Sequence, residues 1–239
     1  MLKKTAGLLL ILGLGALGYA NVPLDTAGIE DQTSARNASI RSAQPKPDSE
    51  FDYYVLALSW SPSFCQSRGD DAPQSQCGTG RSFGFIVHGL WPQYEAEGWP
   101  EYCLGRNRTR DVPRQIVDQM FPIMPSAGLI EHEWDKHGSC SGLGVGGYFE
   151  LTQRLFEKIN IPDELRRPSS PLKMSASTIE RMFMRANPEL DDDDITITCT
   201  RGALQEARLC FTKSGELRAC SQSVLGDCPL KRMAIPAVR

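Results

Sequence analysis

The sequence has few long hydrophobic runs, only three histidines and no excess of positive charge. After residue 20, no apolar stretch approaches the roughly 20 residues that a membrane-spanning helix requires, which argues against an integral membrane protein. The formal net charge is -3 and the pI is about 5.7. This balance argues against a protein that holds nucleic acid through a broad basic surface, although it leaves room for a local basic patch.

No pair of the eight cysteines forms a CxxC motif, which removes support for a zinc ribbon or a thioredoxin-like site. All eight lie between Cys65 and Cys228. An even number of cysteines predicts disulfides if the chain enters an oxidising compartment, but spacing alone leaves roughly a hundred connectivities open.

The N-terminus has the pattern of a signal peptide. The short cationic stretch 1–5 precedes an almost wholly apolar run, Ala6 to Ala20. Residues 1–20 are therefore predicted to be a signal peptide, and the mature protein is predicted to be secreted or periplasmic, without a membrane segment. Residues 21–50 contain no aromatic residue or cysteine, so we expect a flexible leader there. A single folded domain is expected over residues 51–239.

This domain alternates between strand and helix patterns. Four segments have the β-branched and aromatic content of strands: Tyr53–Trp60, Phe83–Val87, Ile195–Cys199 and Arg208–Thr212. Three segments have the apolar spacing of helices: 113–120, 148–159 and 178–186. Together these elements predict an α+β fold in which helices flank a central antiparallel sheet and disulfides staple the domain.

Two of the three histidines lie in the short segment His132-Glu-Trp-Asp-Lys-His137. On a helix, at about 100° per residue, His132, Glu133, Lys136 and His137 fall on one face. Two imidazoles can supply a proton donor and a proton acceptor at mildly acidic pH. A solvated helix face with incidental histidines is the alternative interpretation.

The residues disfavour two other chemistries for this segment. His132-Glu133 opens like the HExxH zinc motif, but the next histidine comes at i+5, and Lys136 occupies the position of the second zinc ligand. Gly138 to Gly142 could be a nucleophile elbow with Cys140 or a serine as the attacking group. In an oxidising compartment, Cys140 is better explained as half of a disulfide.

The third histidine, His88, stands in Ile86-Val-His-Gly-Leu-Trp-Pro92, where an apolar strand is predicted to end. This block and the block His132 to Cys140 together resemble the two active-site segments of the ribonuclease T2 family. The resemblance extends along Phe51 to Cys228. It implies a metal-independent endoribonuclease, with no cofactor, that cleaves single-stranded RNA by attack of the 2′-hydroxyl on phosphorus. The products would be 2′,3′-cyclic phosphates, which later hydrolyse to 3′-phosphates.

The resemblance implies a role for each matched residue in the two blocks. His137 is the expected general base and His88 the expected general acid. His132 is expected to bind the phosphate. Glu133 and Lys136 are expected to stabilise the pentacoordinate phosphorane.

Aromatic residues after His88 are expected to contact the substrate. By resemblance, Trp91 forms a wall for a base or ribose. Gln93 stands where some family members carry an acidic, base-binding residue, so the base preference does not transfer. Tyr94, Trp99 and Tyr102 are candidates to stack on bases, with core packing as the alternative. A cluster of arginines is a candidate for steering phosphates: Arg106, Arg108 and Arg110.

The family's cysteine arrangement implies a pairing: Cys103–Cys140, Cys199–Cys228 and Cys210–Cys220, with Cys65–Cys77 remaining. RNA is the expected partner, no obligate protein partner is evident, and we expect a monomer. The alternative function is a catalytically idle RNA-binding or extracellular recognition protein on the same fold. An idle relative would be expected to lose a catalytic histidine or Lys136, and none is missing.

Overall fold

A six-stranded sheet organises the part of the chain that the structure, a computed structural model, describes: residues 50–104 and 111–239. Its strands are β1 (Tyr53–Trp60), β2 (Phe85–Gln93), β3 (Leu172–Met174), β4 (Ile195–Thr200), β5 (Ala203–Phe211) and β6 (Met233–Ile235). The strand order is β2-β1-β5-β6-β3, and β4 also pairs with β5. All pairs are antiparallel except β5 and β6, which meet in parallel at Ala203 and Ala234. The predicted α+β class is confirmed, with this one parallel contact added.

Seven α-helices accompany the sheet in the described ranges: α1 (Ser61–Arg68), α2 (Gln74–Cys77), α3 (Arg114–Met120), α4 (Ala127–Lys136), α5 (Gly144–Lys158), α6 (Asp163–Arg166) and α7 (Ala176–Ala186). The three predicted helices correspond to α3, α5 and α7. The segment with two histidines is helical as expected, since it forms the end of α4. None of the helices in the described ranges is long and apolar enough to cross a membrane.

The alternation of side chains along β1 divides the sheet into two faces. Tyr54, Leu56, Leu58 and Trp60 belong to the main hydrophobic core, to which α5 and α7 also contribute buried side chains. Val55 and Tyr53 belong to a smaller cluster with Cys210 and Cys220. Because Val55, Ala57 and Ser59 share that second face, their neighbours on β2 and β5 face the same side.

The strand that carries His88 is longer than predicted. It does not end at Val87 but continues as β2 to Gln93, so His88 lies inside a strand and not at its end. Ala57 of β1 is opposite Gly89, and the next residue, Leu58, is opposite Val87. His88 is therefore the extra residue of a β-bulge, a feature that locally changes the direction of a side chain.

Four disulfides join the cysteines in the pairing that the resemblance implied: Cys65–Cys77, Cys103–Cys140, Cys199–Cys228 and Cys210–Cys220. All eight cysteines are thereby paired, so Cys140 is not a nucleophile. The predicted signal peptide, the leader up to residue 49 and the three arginines at 106, 108 and 110 lie outside the described residues.

Candidate active site

The two motif blocks meet at one cavity, between the second half of β2 and the C-terminal end of α4. The cavity has a volume of about 300 Å³. Its lining includes all five residues that were expected to act on the phosphate: His88, His132, Glu133, Lys136 and His137. These residues come from segments more than 40 positions apart in the chain, and the fold brings them together.

A hydrogen bond between Glu133 and Trp91 joins the two blocks. The Trp91 indole Nε1–H donates to Glu133 Oε2 at 2.8 Å, and Glu133 is almost completely buried. Burial raises the pKa of Glu133 to about 7, although His88, Trp91 and Lys136 oppose the shift. The backbone passes close to this pair, because a Cβ on Gly89 would overlap Glu133 Oε2 and lie 2.6 Å from Trp91 Nε1. Only glycine fits at that position of β2.

The His88 ring is held between carboxylates from two different elements. Its Nδ1 lies 2.6 Å from Oε1 of Glu206 on β5, and its Nε2 lies 3.7 Å from Oε1 of Glu133 on α4. Partial burial disfavours the charged ring, but the hydrogen bond to Glu206 and the charges of Glu133 and Glu206 outweigh it. The pKa of His88 is therefore raised. This ring is suited to carry a proton.

His137 has the opposite environment. It is the residue immediately after α4, its backbone N–H donates to the carbonyl of Glu133 at 3.0 Å, and its side chain is buried. Burial, together with the nearby positive charges of Lys136, His88 and His132, lowers the pKa of His137 to about 3. This environment favours the neutral form of the ring.

Trp91 contacts both imidazoles. The centre of its ring lies 5.2 Å from that of His88 and 5.5 Å from that of His137. His132 is exposed on α4, and Lys136 Nζ lies 3.9 Å from Glu101 Oε2. The cavity thus brings together one imidazole with a raised pKa, one with a lowered pKa, and the ammonium of Lys136.

Some of the residues that were expected to contact the substrate line the cavity, and others do not. Gln93 and Trp99 line the cavity, and Trp99 is half exposed. Tyr94 instead packs against the main core. Tyr102 is exposed, and its backbone N–H donates to the carbonyl of Lys136 at 2.9 Å. The disulfide Cys103–Cys140 joins the segment that carries Trp99 to the turn that follows His137.

Two residues of this site were missed by the sequence analysis. Glu206 is buried against His88, and Arg208 lines the cavity with its guanidinium 5.4 Å from the centre of the Trp91 ring. The predicted strand began only at Arg208, whereas β5 begins at Ala203 and includes both residues. Their i, i+2 spacing was the available signal, since it places them on one face of a strand.

His88 also lines a second cavity, of about 170 Å³. It is lined by residues from β1, β2, α1 and the start of α4, including Ser59, Phe64 and Leu129. His88 is the residue that both linings contain. Within the described ranges, no three His, Cys, Asp or Glu side chains are grouped so that they could hold a metal ion.

The protein is an α+β domain in which His88 and His137 line one cavity. The model of the ribonuclease T2 family matches residues 51–220. The chain belongs to the ribonuclease T2 family.

Individual relatives agree with the family match. A probable ribonuclease of Haemophilus influenzae is 33% identical over 180 residues, which cover 71% of this chain and 61% of that protein. A ribonuclease of Aeromonas hydrophila is 43% identical over 117 residues, 48% of this chain and 50% of that protein. The chain thus spans about half to three fifths of the length of these relatives. Among solved structures, trichomaglin, described as an S-like ribonuclease, is 26% identical with a TM-score of 0.62 and covers 80% of this chain and 100% of its own.

Proposed function

We propose that this protein is an endoribonuclease that cleaves single-stranded RNA without a metal ion or cofactor, with His137 as the general base and His88 as the general acid. The observation that carries the proposal is the pair of imidazoles that both contact Trp91 in one cavity, His88 with a raised pKa and His137 with a lowered one. A site that must accept one proton and donate another in the same step needs one neutral and one protonated ring.

The reaction begins with the neutral His137 ring, which takes the proton of the ribose 2′-hydroxyl. The 2′-oxygen attacks the adjacent phosphorus, and the bond from phosphorus to the 5′-oxygen of the next nucleotide breaks. Cationic His88 donates its Nε2 proton to that departing oxygen. The products are a 2′,3′-cyclic phosphate and a free 5′-hydroxyl, and the two histidines exchange roles when water later opens the ring to a 3′-phosphate.

In this reaction, three neighbours act on the phosphate as negative charge accumulates. Lys136 supplies a fixed cation to the cavity, a contribution that is large in a site from which water is excluded. Glu133 lines the same cavity, and together with Lys136 it stabilises the pentacoordinate phosphorane. His132, exposed at the rim, contacts the phosphate without transferring a proton.

The two cavities beside His88 support an internal cleavage site in a chain with bases on both sides. Trp91 and Trp99 offer ring faces to one base, an interaction worth about 1–3 kcal/mol each, and Gln93 supplies an amide in the same cavity. The second cavity would take the base of the departing nucleotide. The side chain of Tyr94 packs against the core, and Tyr94 is not among the residues that line the cavity. Its contact with the substrate therefore stays a prediction.

The proposal includes an export step. The cationic and apolar pattern of residues 1–20 supports removal of a signal peptide and release of a monomeric catalytic domain, residues 51–239, behind the leader 21–50. N-terminal sequencing of the exported protein tests this. A mature chain that still begins at Met1 would contradict it.

A strand of DNA that contains a single ribose tests the nucleophile directly. The enzyme is expected to cut this strand only on the 3′ side of the ribose and to leave a 2′,3′-cyclic phosphate, identified by mass spectrometry. The matched all-DNA strand should resist cleavage. Cutting of the all-DNA strand would exclude the 2′-hydroxyl as the attacking group.

Three alanine variants test the assigned roles. His88→Ala and His137→Ala should each remove nearly all turnover of RNA while the fold persists, because the acid and base act in one concerted step. His132→Ala should have a milder effect. If His88→Ala and His137→Ala bind and cleave RNA as the native protein does, the two-histidine mechanism is wrong. If the native protein binds RNA but does not cleave it, the idle alternative is supported.

Removal of metal ions tests the remaining part of the proposal. Activity on RNA is expected to survive an excess of EDTA, because each charge that acts on the phosphate in this mechanism belongs to a side chain. Loss of activity with EDTA that zinc or magnesium restores would contradict it.

A further inference from the structure

The two oxygens of the buried Glu206 carboxylate have different partners. Oε1 lies 2.6 Å from His88 Nδ1. Oε2 accepts from the Arg208 guanidinium, with Nε at 2.9 Å and a terminal nitrogen at 2.8 Å. The side chain of Glu206 is only 2% exposed, so water cannot easily replace either partner.

We propose that Glu206, held in place by Arg208, is the positioning residue for the general acid of the proposed reaction. It orients the His88 ring so that Nδ1–H points into the sheet and Nε2 points to the cavity that receives the scissile phosphate. This inference rests on the proposed function and adds two residues to it.

The location of Glu206 in the sheet makes this orientation rigid. Glu206 lies in β5, where it is paired with Ser59 of β1 on one side and with Thr198 of β4 on the other. Its backbone is therefore in the middle of the sheet. His88 stands on the bulge of β2, two strands away. The bulge sets the direction of the His88 ring, and the Glu206 carboxylate makes the contact that holds the ring there.

Arg208 explains how a carboxylate can remain ionised at this position. Burial of an unpaired charge is costly, and an adjacent cation with good hydrogen-bond geometry offsets that cost. Burial alone would raise the pKa of Glu206, but His88 and Arg208 lower it. The charged groups that face His88 are then Glu206 and Arg208 from β5 and Glu133 from α4. An anion against Nδ1 favours the protonated ring, which is the form that an acid requires.

Replacement of Glu206 by glutamine has a specific expected consequence. Arg208 can only donate hydrogen bonds, so it takes the amide oxygen and leaves the amide NH2 group facing His88 Nδ1. A donor at that point matches only a neutral ring whose proton is on Nε2. The variant therefore disfavours the cationic acid, although the volume of the side chain is nearly unchanged.

The test compares two substrates that differ in their need for an acid. A dinucleotide releases a poor leaving group, a nucleoside 5′-oxygen, which must be protonated. A nucleoside 3′-(4-nitrophenyl phosphate) releases a stable phenolate and needs no acid. Glu206→Gln is expected to lower kcat on the dinucleotide by about 10- to 100-fold, a smaller loss than the full contribution of about 10²–10⁴ that a general acid makes, because His88 itself remains. On the nitrophenyl ester, kcat should change by less than about 2-fold.

The pH dependence gives a second measurement on the same variant. The alkaline limb of kcat on the dinucleotide should move to lower pH in Glu206→Gln, since the His88 cation has lost its anionic partner. Arg208→Gln should weaken the dinucleotide reaction in the same selective way. Glu216→Gln is the matched control, because it removes an exposed carboxylate that pairs with Lys158; it should leave both substrates and the pH limb unchanged.

Equal losses on the two substrates, with no movement of the alkaline limb, would overturn the positioning role and indicate a structural one. A native protein that cleaves neither substrate would instead overturn the proposed function. His137→Ala should lose both substrates, because the base is needed for both.

A measurement on the native protein covers the case in which Glu206→Gln does not fold. With only three histidines, spectra that correlate ring nitrogens and protons of ¹⁵N-histidine-labelled protein can be assigned with His88→Ala. Above its pKa, neutral His88 is expected to carry its proton on Nδ1. A neutral ring with its proton on Nε2 would overturn the proposal.

Discussion

The neighbours of His88 and His137 shift the pKa values of these two histidines in opposite directions. His88 has carboxylates on both ring nitrogens, Glu206 at 2.6 Å and Glu133 at 3.7 Å. His137 is buried and is surrounded by cations, with Lys136 as the nearest contributor in the chain. The difference is a property of the surroundings, because the isolated side chains have the same pKa of about 6.5.

These shifts predict the form of the pH–rate profile. His137 has a pKa near 3 and is neutral, and able to accept a proton, at any higher pH. His88 has a raised pKa and stays protonated beyond the pH at which an ordinary histidine loses its proton. Values of kcat/KM should therefore follow a bell with its optimum on the acidic side of neutrality. A profile that rises steadily to a pH of about 9 would contradict the assignment of the acid.

A substitution at Gly89 leads to a second prediction about a single residue. Gly89→Ala places a methyl group against the Glu133 carboxylate and the Trp91 indole. The variant should lose about 1–3 kcal/mol of unfolding free energy through overpacking and about 10-fold or more in kcat, because the displaced Glu133 borders the reacting phosphate.

Gly128→Ala is the control for that substitution. Gly128 lies near the start of α4 and a Cβ there meets no atom within 4 Å. Thermal unfolding and RNA turnover should show a slightly more stable protein, by up to about 1 kcal/mol from helix propensity, with native activity. Native activity in Gly89→Ala would show that the close approach of β2 to Glu133 has no functional role.

At the scale of elements, an edge strand and a capped helix form the site. β2 is at the edge of the sheet, and its free side is covered: the Tyr148 hydroxyl bonds to both the N–H and the carbonyl of Leu90, and the Val87 N–H donates to the carbonyl of Ile123. Unpaired edges invite pairing with other chains. These contacts give backbone groups of Val87 and Leu90 hydrogen-bond partners outside the sheet.

The N-cap of α4 leads to a prediction about stability. The Ser126 side chain accepts from the backbone N–H of Leu129 at 3.3 Å, so Ser126→Ala should cost about 1 kcal/mol of unfolding free energy, measured by urea denaturation. Ser175→Ala removes the equivalent cap of α7 and should cost a similar amount with native RNA turnover. If neither variant changes the midpoint, the caps do not contribute.

At the scale of the whole molecule, four disulfides constrain a domain whose sheet joins distant segments. They close loops of 10 to 37 residues in sequence separation. Two of them hold segments that border the cavity, since Cys103–Cys140 lies beside His137 and Cys210–Cys220 lies in the small cluster under Trp91. Catalytic geometry and global stability therefore depend on the same covalent links.

Reduction of the disulfides should therefore affect both the stability and the activity of the protein. Each bridge stabilises the folded chain by about 2–4 kcal/mol in favourable cases, so a strong thiol reductant should lower the unfolding midpoint markedly and reduce turnover. Thiol titration of the oxidised, exported protein should find no free thiol. Free thiols in a folded, active preparation would show that this pairing is not the native one.

Much of the site could be predicted because it is local. The set from His132 to His137 spans the C-terminal end of α4 and the residue that follows it, so the 3.6-residue period predicted that the two imidazoles, Glu133 and Lys136 lie close together. The similarity to a known family added His88 and the pairing of the cysteines. The α+β class followed from the order of the elements, while strand ends such as Val87 and Arg208 were placed wrongly because tertiary pairing extends strands beyond their apolar segments.

What the tertiary structure alone decided is the environment of His88. Glu206 is 118 positions from His88, and only the pairing of β1 with both β2 and β5 brings them into contact. The bulge at His88 is equally non-local, because it is a mismatch of register between two strands that no single segment encodes. The sequence by itself determined which chemical groups are present and which of them share a helix face. The distances that set their proton affinities depend on long-range strand register, which local periodicity does not contain.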